Sequence, residues 1–176
     1  MRVISGSIKG RRLLGPEPGD ISIRPTSDRA KEAIFSILQK YTSGSFLDLF
    51  AGTGAMAIEA WSRGYNPVTC VEKQASAIRC ISHNTRGTGI KIISKDIRNL
   101  PMDYFANQTI IFADPPYESS SELWLALCPL IKNWLAPNYG TLIWETNKAT
   151  SLKEYDGINL IETRRYGNSM FHIFNS

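Results

Sequence analysis

The 176-residue sequence predicts an α/β domain with a mostly parallel, doubly wound sheet, a C-terminal antiparallel hairpin and a small basic N-terminal arm. Three observations lead there. Short β-rich apolar runs at residues 46–50, 68–72, 90–93, 109–113 and 141–144 alternate with segments of helical period, as parallel strands joined by crossover helices require. The first of these runs enters Ala51-Gly52-Thr53-Gly54, a glycine-rich turn that opens a helix. The chain closes on two strand-like runs, 160–166 and 169–174, about Gly167-Asn168.

Composition narrows the class. An apolar fraction of 43% with 20% charged residues is that of a globular chain, and at this length one domain with a sizeable core is expected, without a second catalytic domain. The longest apolar runs fall well short of a membrane span and the first residues lack a signal-peptide core, so a cytoplasmic protein that does not engage membranes is expected. Cys70, Cys80 and Cys128 show neither a disulfide framework nor metal spacing, and His83 and His172 have no partner at a metal-like interval. Reduced core thiols and no metal site are the expectation. The net charge of +4 is unevenly spread: residues 1–40 hold eight Lys and Arg against four acids, whereas residues 41–176 hold twelve of each. Such asymmetry suits a polyanion met by one face or arm.

In chain order, residues 1–13 carry Arg2, Lys9, Arg11 and Arg12 and no acid, and Gly6 and Gly10 break them into a small hairpin or extended arm. Gly15, Pro16, Pro18 and Gly19 end this segment, which places a boundary near residue 20 between a dependent arm (1–20) and the main domain (21–176). Thr26 or Ser27 caps a helix whose apolar face is Ala30, Ala33, Ile34, Ile37, Leu38 and Tyr41. Arg24, just ahead of that cap, is a candidate ligand contact. The run at 46–50 is too short for a helix and apolar except for Asp48, hence a strand covered on both faces. A helix from Ala55 stops at Gly64. Pro67 introduces the strand ending in Glu72, a helix through Ala75, Ile78 and Ile81 ends before Gly87, and the next strand leads to Asp96. Residues 121–135 form a helix with Leu123, Leu127, Leu130, Ile131 and Trp134 on one side, and Pro137, Asn138 and Gly140 precede the strand at 141–144. Residues 145–157 read as a loop or short helix.

Asp48 decides between two cofactor classes. Gly52, Gly54 and Ala57 satisfy the dinucleotide spacing only in its weaker form. A carboxylate ahead of the turn repels a pyrophosphate but helps hold the ammonium and sulfonium charges of S-adenosylmethionine (AdoMet). The bland alternative is a carboxylate tied to backbone N–H groups of the turn. Glu72, eighteen residues after Gly54, falls where nucleotide-binding α/β domains place an acid on ribose hydroxyls, and Asp96 follows a strand into the same ligand crevice.

Asp114-Pro115-Pro116-Tyr117 is the most specific signal. Two prolines fix an extended segment in which the Asp114 carboxylate and the Pro115 carbonyl both accept hydrogen bonds. Together they can hold the two hydrogens of an exocyclic amine and stabilise the charge that its nitrogen gains on methyl transfer, while Tyr117 offers a flat face to an unstacked base. The bland alternative is a surface turn with a packing tyrosine.

With the turn at Phe50-Ala51-Gly52-Thr53-Gly54, this tetrapeptide resembles the AdoMet-dependent amino-methyltransferases of nucleic-acid bases. Ser5-Gly6-Ser7-Ile8-Lys9-Gly10-Arg11-Arg12-Leu13, Arg24-Pro25-Thr26, Glu32-Ala33-Ile34-Phe35, Ile58-Glu59-Ala60 and Ser62-Arg63-Gly64 narrow the resemblance to the RsmD-type 16S ribosomal RNA guanine-N2 methyltransferases. It departs from them at Ser5 and Ser7 in a usually glycine-rich arm, at Thr53 and at Met56. The resemblance implies a Rossmann-like methyltransferase fold, AdoMet as cofactor, and a guanine of 16S rRNA within a small-subunit assembly particle as substrate. By the same pattern Asp48, Phe50, Gly52, Gly54, Glu72, Asp96 and Ile97 line AdoMet, Arg24 and Thr26 close its pocket, and Asp114, Pro115 and Tyr117 hold the base. The charge count assigns RNA phosphates to Lys9, Arg11 and Arg12. Rival readings are a DNA adenine-N6 or cytosine-N4 methyltransferase, disfavoured because no insert has the size of a target-recognition domain; a non-catalytic RNA-binding assembly factor; and a nicotinamide oxidoreductase, disfavoured by Asp48.

Overall fold

The structure, a computed structural model, describes residues 1–16, 26–40, 44–135 and 140–175. Arg24, Pro18, Gly19, Tyr41, Pro137 and Asn138 lie outside the described residues. Strands β1 (Phe46–Asp48), β2 (Val68–Glu72), β3 (Lys91–Ser94), β4 (Ile110–Ala113), β5 (Thr141–Asn147), β6 (Asn159–Tyr166) and β7 (Ser169–Asn175) form one sheet in the order β3-β2-β1-β4-β5-β7-β6. The first five are parallel, and β7 runs antiparallel between β5 and β6. This is the doubly wound sheet with a terminal hairpin that the sequence predicts.

Alternation along each central strand divides the core into two layers. Phe46, Cys70, Ile110, Phe112 and Ile143 point to one side, where α1 (Asp28–Ile37) and α2 (Ala55–Ser62) pack with Ile81 of α3 (Ala75–Asn84). Leu47, Leu49, Val71, Ile111, Leu142 and Trp144 point to the other, against α4 (Ser120–Leu135). A strand buried on both faces must be apolar at every position, so the one polar residue of β1, Asp48, stands out.

The structure departs from the sequence reading in three places, and it adds two short 3-10 turns, Ile97–Asn99 and Met102–Tyr104, between β3 and β4 where no element was assigned. β1 stops at Asp48 instead of residue 50, although the N–H groups of Leu49 and Ala51 still bond the Phe112 and Val71 carbonyls as the chain bends into the glycine turn. β5 runs on through residues 145–147, read as loop or short helix, because β7 pairs with it from Thr141 opposite Asn175 to Asn147 opposite Ser169. The buried stripe of α4 runs through Trp124, Leu127, Cys128, Ile131, Trp134 and Leu135, with Leu123 and Leu130 only partly covered.

The arm is a narrow hairpin in which Arg2 bridges Arg12, and it is docked by buried polar side chains. Glu59 of α2 is wholly buried and accepts hydrogen bonds from the backbone N–H groups of Ile4 (2.7 Å) and Ser5 (3.0 Å) and from Arg63 Nε (2.8 Å). Ser62 Oγ donates to the Ser5 carbonyl at 2.6 Å and accepts from Ile8 N–H at 3.2 Å. Gly6 is at φ +88°, and a Cβ there would lie 1.8 Å from the Ser62 carbonyl oxygen, so no other residue fits. Lys31 Nζ, fully buried on α1, donates to the Arg2 carbonyl. Val3 and Leu13 supply the apolar part of the contact, against Ala55 and Ile58.

Removing the Glu59 carboxylate strands two backbone donors and the Arg63 guanidinium. Glu59→Ala is expected to lose about 3 kcal/mol of stability in denaturant unfolding, with faster trypsin cleavage at Lys9 and Arg11. Parent-like stability and cleavage would show that the arm is held by its apolar contacts alone.

Candidate active site

The carboxyl ends of β1, β2, β3 and β4 open onto one cavity of about 470 Å³. That is the volume of a small-molecule site at the end of a parallel sheet. Asp48, Phe50 and Gly52 reach it from β1, Glu72 from β2, Asp96 and Ile97 from β3, Asp114, Pro115 and Tyr117 from β4, and Thr26 from the residue before the α1 cap. Gly54 does not line the cavity. It caps α2 at φ 79° and, with Gly52 at φ 54°, turns the backbone sharply below it.

Asp48 is 1% exposed. The N–H groups of Phe50 and Ala57 hold its carboxylate. Ala57 belongs to the first turn of α2, so the acid stands at a helix N-terminus. Its Oδ1 is buried and has no hydrogen-bond partner among the described residues. Burial is the main cause that pushes its pKa up to about 7, and the nearby Glu72 charge adds to it. The bland alternative of a turn-tying carboxylate therefore describes half of the group. The other half is an unanswered acceptor on a residue that lines the cavity, which suits the cationic end of AdoMet and not a pyrophosphate.

Glu72 serves the turn as well as the cavity. Its Oε2 accepts from Gly52 N–H at 2.9 Å, and its Oε1 from Lys73 N–H (2.8 Å) and Gln74 N–H (2.9 Å). A carboxylate has roughly four acceptor positions, so most of Glu72 is committed to locking the glycine turn onto the end of β2. The ribose role leaves this part unaccounted for. Asp96 is gripped by Arg98, through the backbone N–H (3.0 Å), Nε (3.0 Å) and Nη2 (2.8 Å), and by Lys73 Nζ at 3.1 Å. The Arg98 hydrogen bonds hold its carboxyl well below the usual carboxylate range.

On the facing wall, β4 delivers Asp114 at Ala113, and Pro116 (φ −54°, ψ 129°) keeps the segment extended until Tyr117 starts a short 3-10 turn into α4. The Tyr117 hydroxyl donates to Glu145 Oε1 at 3.3 Å. Glu145 lies in β5 and is 5% exposed. It was missed by sequence reasoning, and its signal was an acid directly after the apolar run at 141–144. Lys31, Glu59 and Asn84 were missed too. Glu59 is the one charge in the otherwise apolar Ala55-Met56-Ala57-Ile58-Glu59-Ala60-Trp61, which could have marked it as a buried anchor. Asn84, 2% exposed at the end of α3, pairs with both the N–H and the carbonyl of Leu14 and also donates to the Thr53 carbonyl at 3.0 Å, tying the arm to the glycine turn. Lys9, Arg11 and Arg12 are not brought to the cavity. They lie on the arm, where Arg11 Nη2 donates to the Arg86 carbonyl at 3.2 Å. Among the described residues no cluster of three or more His, Cys, Asp or Glu could hold a metal, and no helix is long and apolar enough to cross a membrane.

A family model described as "Conserved hypothetical protein 95" matches residues 1–175. The chain is 34% identical to the putative rRNA methyltransferase YlbH of Bacillus subtilis (strain 168) over 174 residues, covering 94% of this chain and 92% of that protein. It is 29% identical to the ribosomal RNA small subunit methyltransferase D of Haemophilus influenzae over 185 residues, covering 99% and 93%. Among solved structures, a hypothetical protein of Thermus thermophilus superposes with a TM-score of 0.81 at 26% identity, over 100% of this chain and 99% of that one.

Burial of Asp48 has a measurable signature without any ligand. Its carboxyl stays protonated in the folded chain up to about pH 7, against an ordinary value of 3.8 when unfolded. The folded state thus binds more protons in that window, and stability falls as pH rises from about 4 to about 7, by a few kcal/mol (on the order of 2 to 4). In denaturant unfolding across this range Asp48→Asn is expected to flatten that decline. Equal slopes for parent and variant would mean that Asp48 ionises normally.

Proposed function

The chain belongs to the family described as conserved hypothetical protein 95, and from that premise we propose that it transfers the methyl group of AdoMet to the exocyclic N2 amine of a guanine in small-subunit (16S) ribosomal RNA. One observation carries the reading: Asp114-Pro115-Pro116-Tyr117 and the orphaned oxygen of Asp48 line the same cavity. One wall offers acceptors to an amine, the other an unanswered negative group to a cation.

AdoMet supplies, when bound, an electrophilic methyl group on a positive sulfur. Asp48 would hold the cationic end of the cofactor, whose charge would favour the ionised carboxyl. Glu72 would receive the ribose hydroxyls on the acceptor positions that the turn leaves over, and Asp96, Ile97, Phe50, Gly52 and Thr26 would line the rest of the cofactor. Gly54 shapes the turn beneath. Arg24, outside the described residues, completes the cofactor set in this reading. On the substrate side, Tyr117 stacks the flipped base, and Glu145 fixes its ring by the hydroxyl. Asp114 and the Pro115 carbonyl accept the two amine hydrogens, aim the nitrogen's lone pair, and stabilise the charge it gains. The Asp114 carboxylate is then placed to take the proton that the methylated nitrogen sheds.

In this reading residues 1–20 are an RNA-gripping arm on a methyltransferase domain formed by 21–176, with Lys9, Arg11 and Arg12 on phosphates. The resemblance to RsmD-type enzymes supports an assembling small-subunit particle as the substrate and the cytoplasm as the place of reaction.

Mass mapping of methylated guanines in 16S rRNA from a strain without the gene tests the assignment, and an unchanged guanine-N2 pattern would overturn it. With purified protein, Asp114→Ala is expected to slow methyl transfer roughly a hundredfold or more, with AdoMet affinity in titration calorimetry largely retained. Near-parental turnover would remove Asp114 from the chemistry. Glu72→Ala is expected to weaken AdoMet binding by about 2 to 4 kcal/mol, since it loses charge-assisted bonds to the ligand as well as the lock on the turn.

A further inference from the structure

Two separate acid-free stretches of the sequence are rich in cations. Residues 1–16 hold four Lys and Arg, and residues 73–95 hold five, so that all sixteen Asp and Glu share the remaining chain with eleven cations. By sequence position the second stretch disappears into the even balance of residues 41–176. The fold puts it beside the first. Arg11 Nη2 bonds the Arg86 carbonyl at 3.2 Å, Asn84 pairs with Leu14, and Cys80 Sγ lies 3.4 Å from the Gly15 carbonyl. Ile90, just before β3, packs on the cluster of Val3 and Leu13.

We propose that the arm, α3 and β3 form one continuous phosphate-binding face for the substrate RNA, with Arg86 and Lys91 as contacts beyond the arm. The inference rests on the rRNA reading above and gives it a docking surface. Lys9, Arg12, Arg86, Lys91 and Lys95 are all exposed. None of Lys9, Arg12, Arg86 or Lys95 has an ion-pair partner among the described residues. Lys91 Nζ sits 4.9 Å from the centre of the Tyr104 ring, which fixes the stem and leaves the charge at the surface. The neighbouring acids are answered or few. Asp96 is paired with Lys73 and Arg98, Asp28 with Arg2 and Lys31, and Asp103 is the exposed acid next to Tyr104. An ordinary solvated surface intersperses both signs, because like charges alone repel. A face of one sign is relieved by a polyanion. β3 is the edge strand of the sheet, and Lys95 at its end lines the cavity, so the face leads from the arm to the mouth of the site.

The test compares 16S rRNA transcribed in vitro binding to the parent, to Arg86→Ala/Lys91→Ala, and to Lys132→Ala/Lys153→Ala on the α4 side, over a salt series, with thermal melting as the check on folding. The Arg86/Lys91 pair is expected to reduce the slope of log affinity against log salt by about 1.4, at roughly 0.7 per contact on single strands. It should also raise KM for RNA with kcat and AdoMet affinity unchanged, while the α4 pair keeps the parental slope. If Arg86/Lys91 keeps the parental slope and KM, or if the α4 pair loses as much, the inference is overturned. A parental slope with weaker binding to small-subunit particles would assign the face to a protein and overturn it equally. A parent that binds neither the transcript nor small-subunit particles would instead strike at the function proposed above.

Discussion

A carboxylate deprived of water at the end of β1 is the constraint around which this molecule is arranged. Asp48 sits in a strand covered on both faces, where an unpartnered charge is costly. The surroundings offset that cost only in part. Two backbone N–H groups and the N-terminus of α2 answer it on one side, while Glu72, drawn in to lock the glycine turn, raises it from another. The result is an acid held near neutrality at about pH 7, with one oxygen still short of a donor. In the proposed reading a cationic ligand relieves both deficits, and the cost that the fold carries becomes affinity for the cofactor.

The arm obeys the same logic of completing backbone groups with buried side chains. A hairpin with a single bridge is marginal by itself. It is stable here because α1 sends Lys31, α2 sends Glu59 and Ser62, and α3 sends Asn84 to its main chain. Asn84 reaches both the arm and the Thr53 carbonyl within the glycine turn. The arm is thereby an extension of the cofactor turn's own support, and a substrate held on it is registered against the cavity.

Much of this was legible in the sequence. β2 was predicted at its observed limits, and the glycine turn, the acids at strand ends and the proline pair lead where their chemistry says, because strand ends and turns are local. What escaped depends on distance along the chain. Glu59 and Ser5 are 54 residues apart, Asn84 and Leu14 are 70, and nothing in either segment announces the other. No helix was assigned between β3 and β4, and no α-helix forms, because Pro101 and Asn107, at φ 64°, divide the connection. The linear charge count, for its part, cannot see that residues 73–95 fold against the arm.

The remaining question is how one small domain serves a cationic cofactor and a polyanionic substrate. Acids facing the cavity, Asp48, Glu72, Asp96 and Asp114, repel RNA phosphates, while cations on the arm repel AdoMet. Separation and pairing reconcile the two. Asp48 is buried behind the turn, Glu72 is spent largely on backbone donors, and Asp96 carries Lys73 and Arg98 on its outer side, so the field of the cavity is muted where RNA passes. Exposed charges interact little beyond about 8 Å at physiological salt, and the basic face meets the cavity at Lys95, while Lys73, which also lines it, is paired with Asp96. In the proposed reading Asp114 meets the base edge, not a phosphate, so each charge acts on its own ligand and a single sheet end holds both reactants of opposite sign.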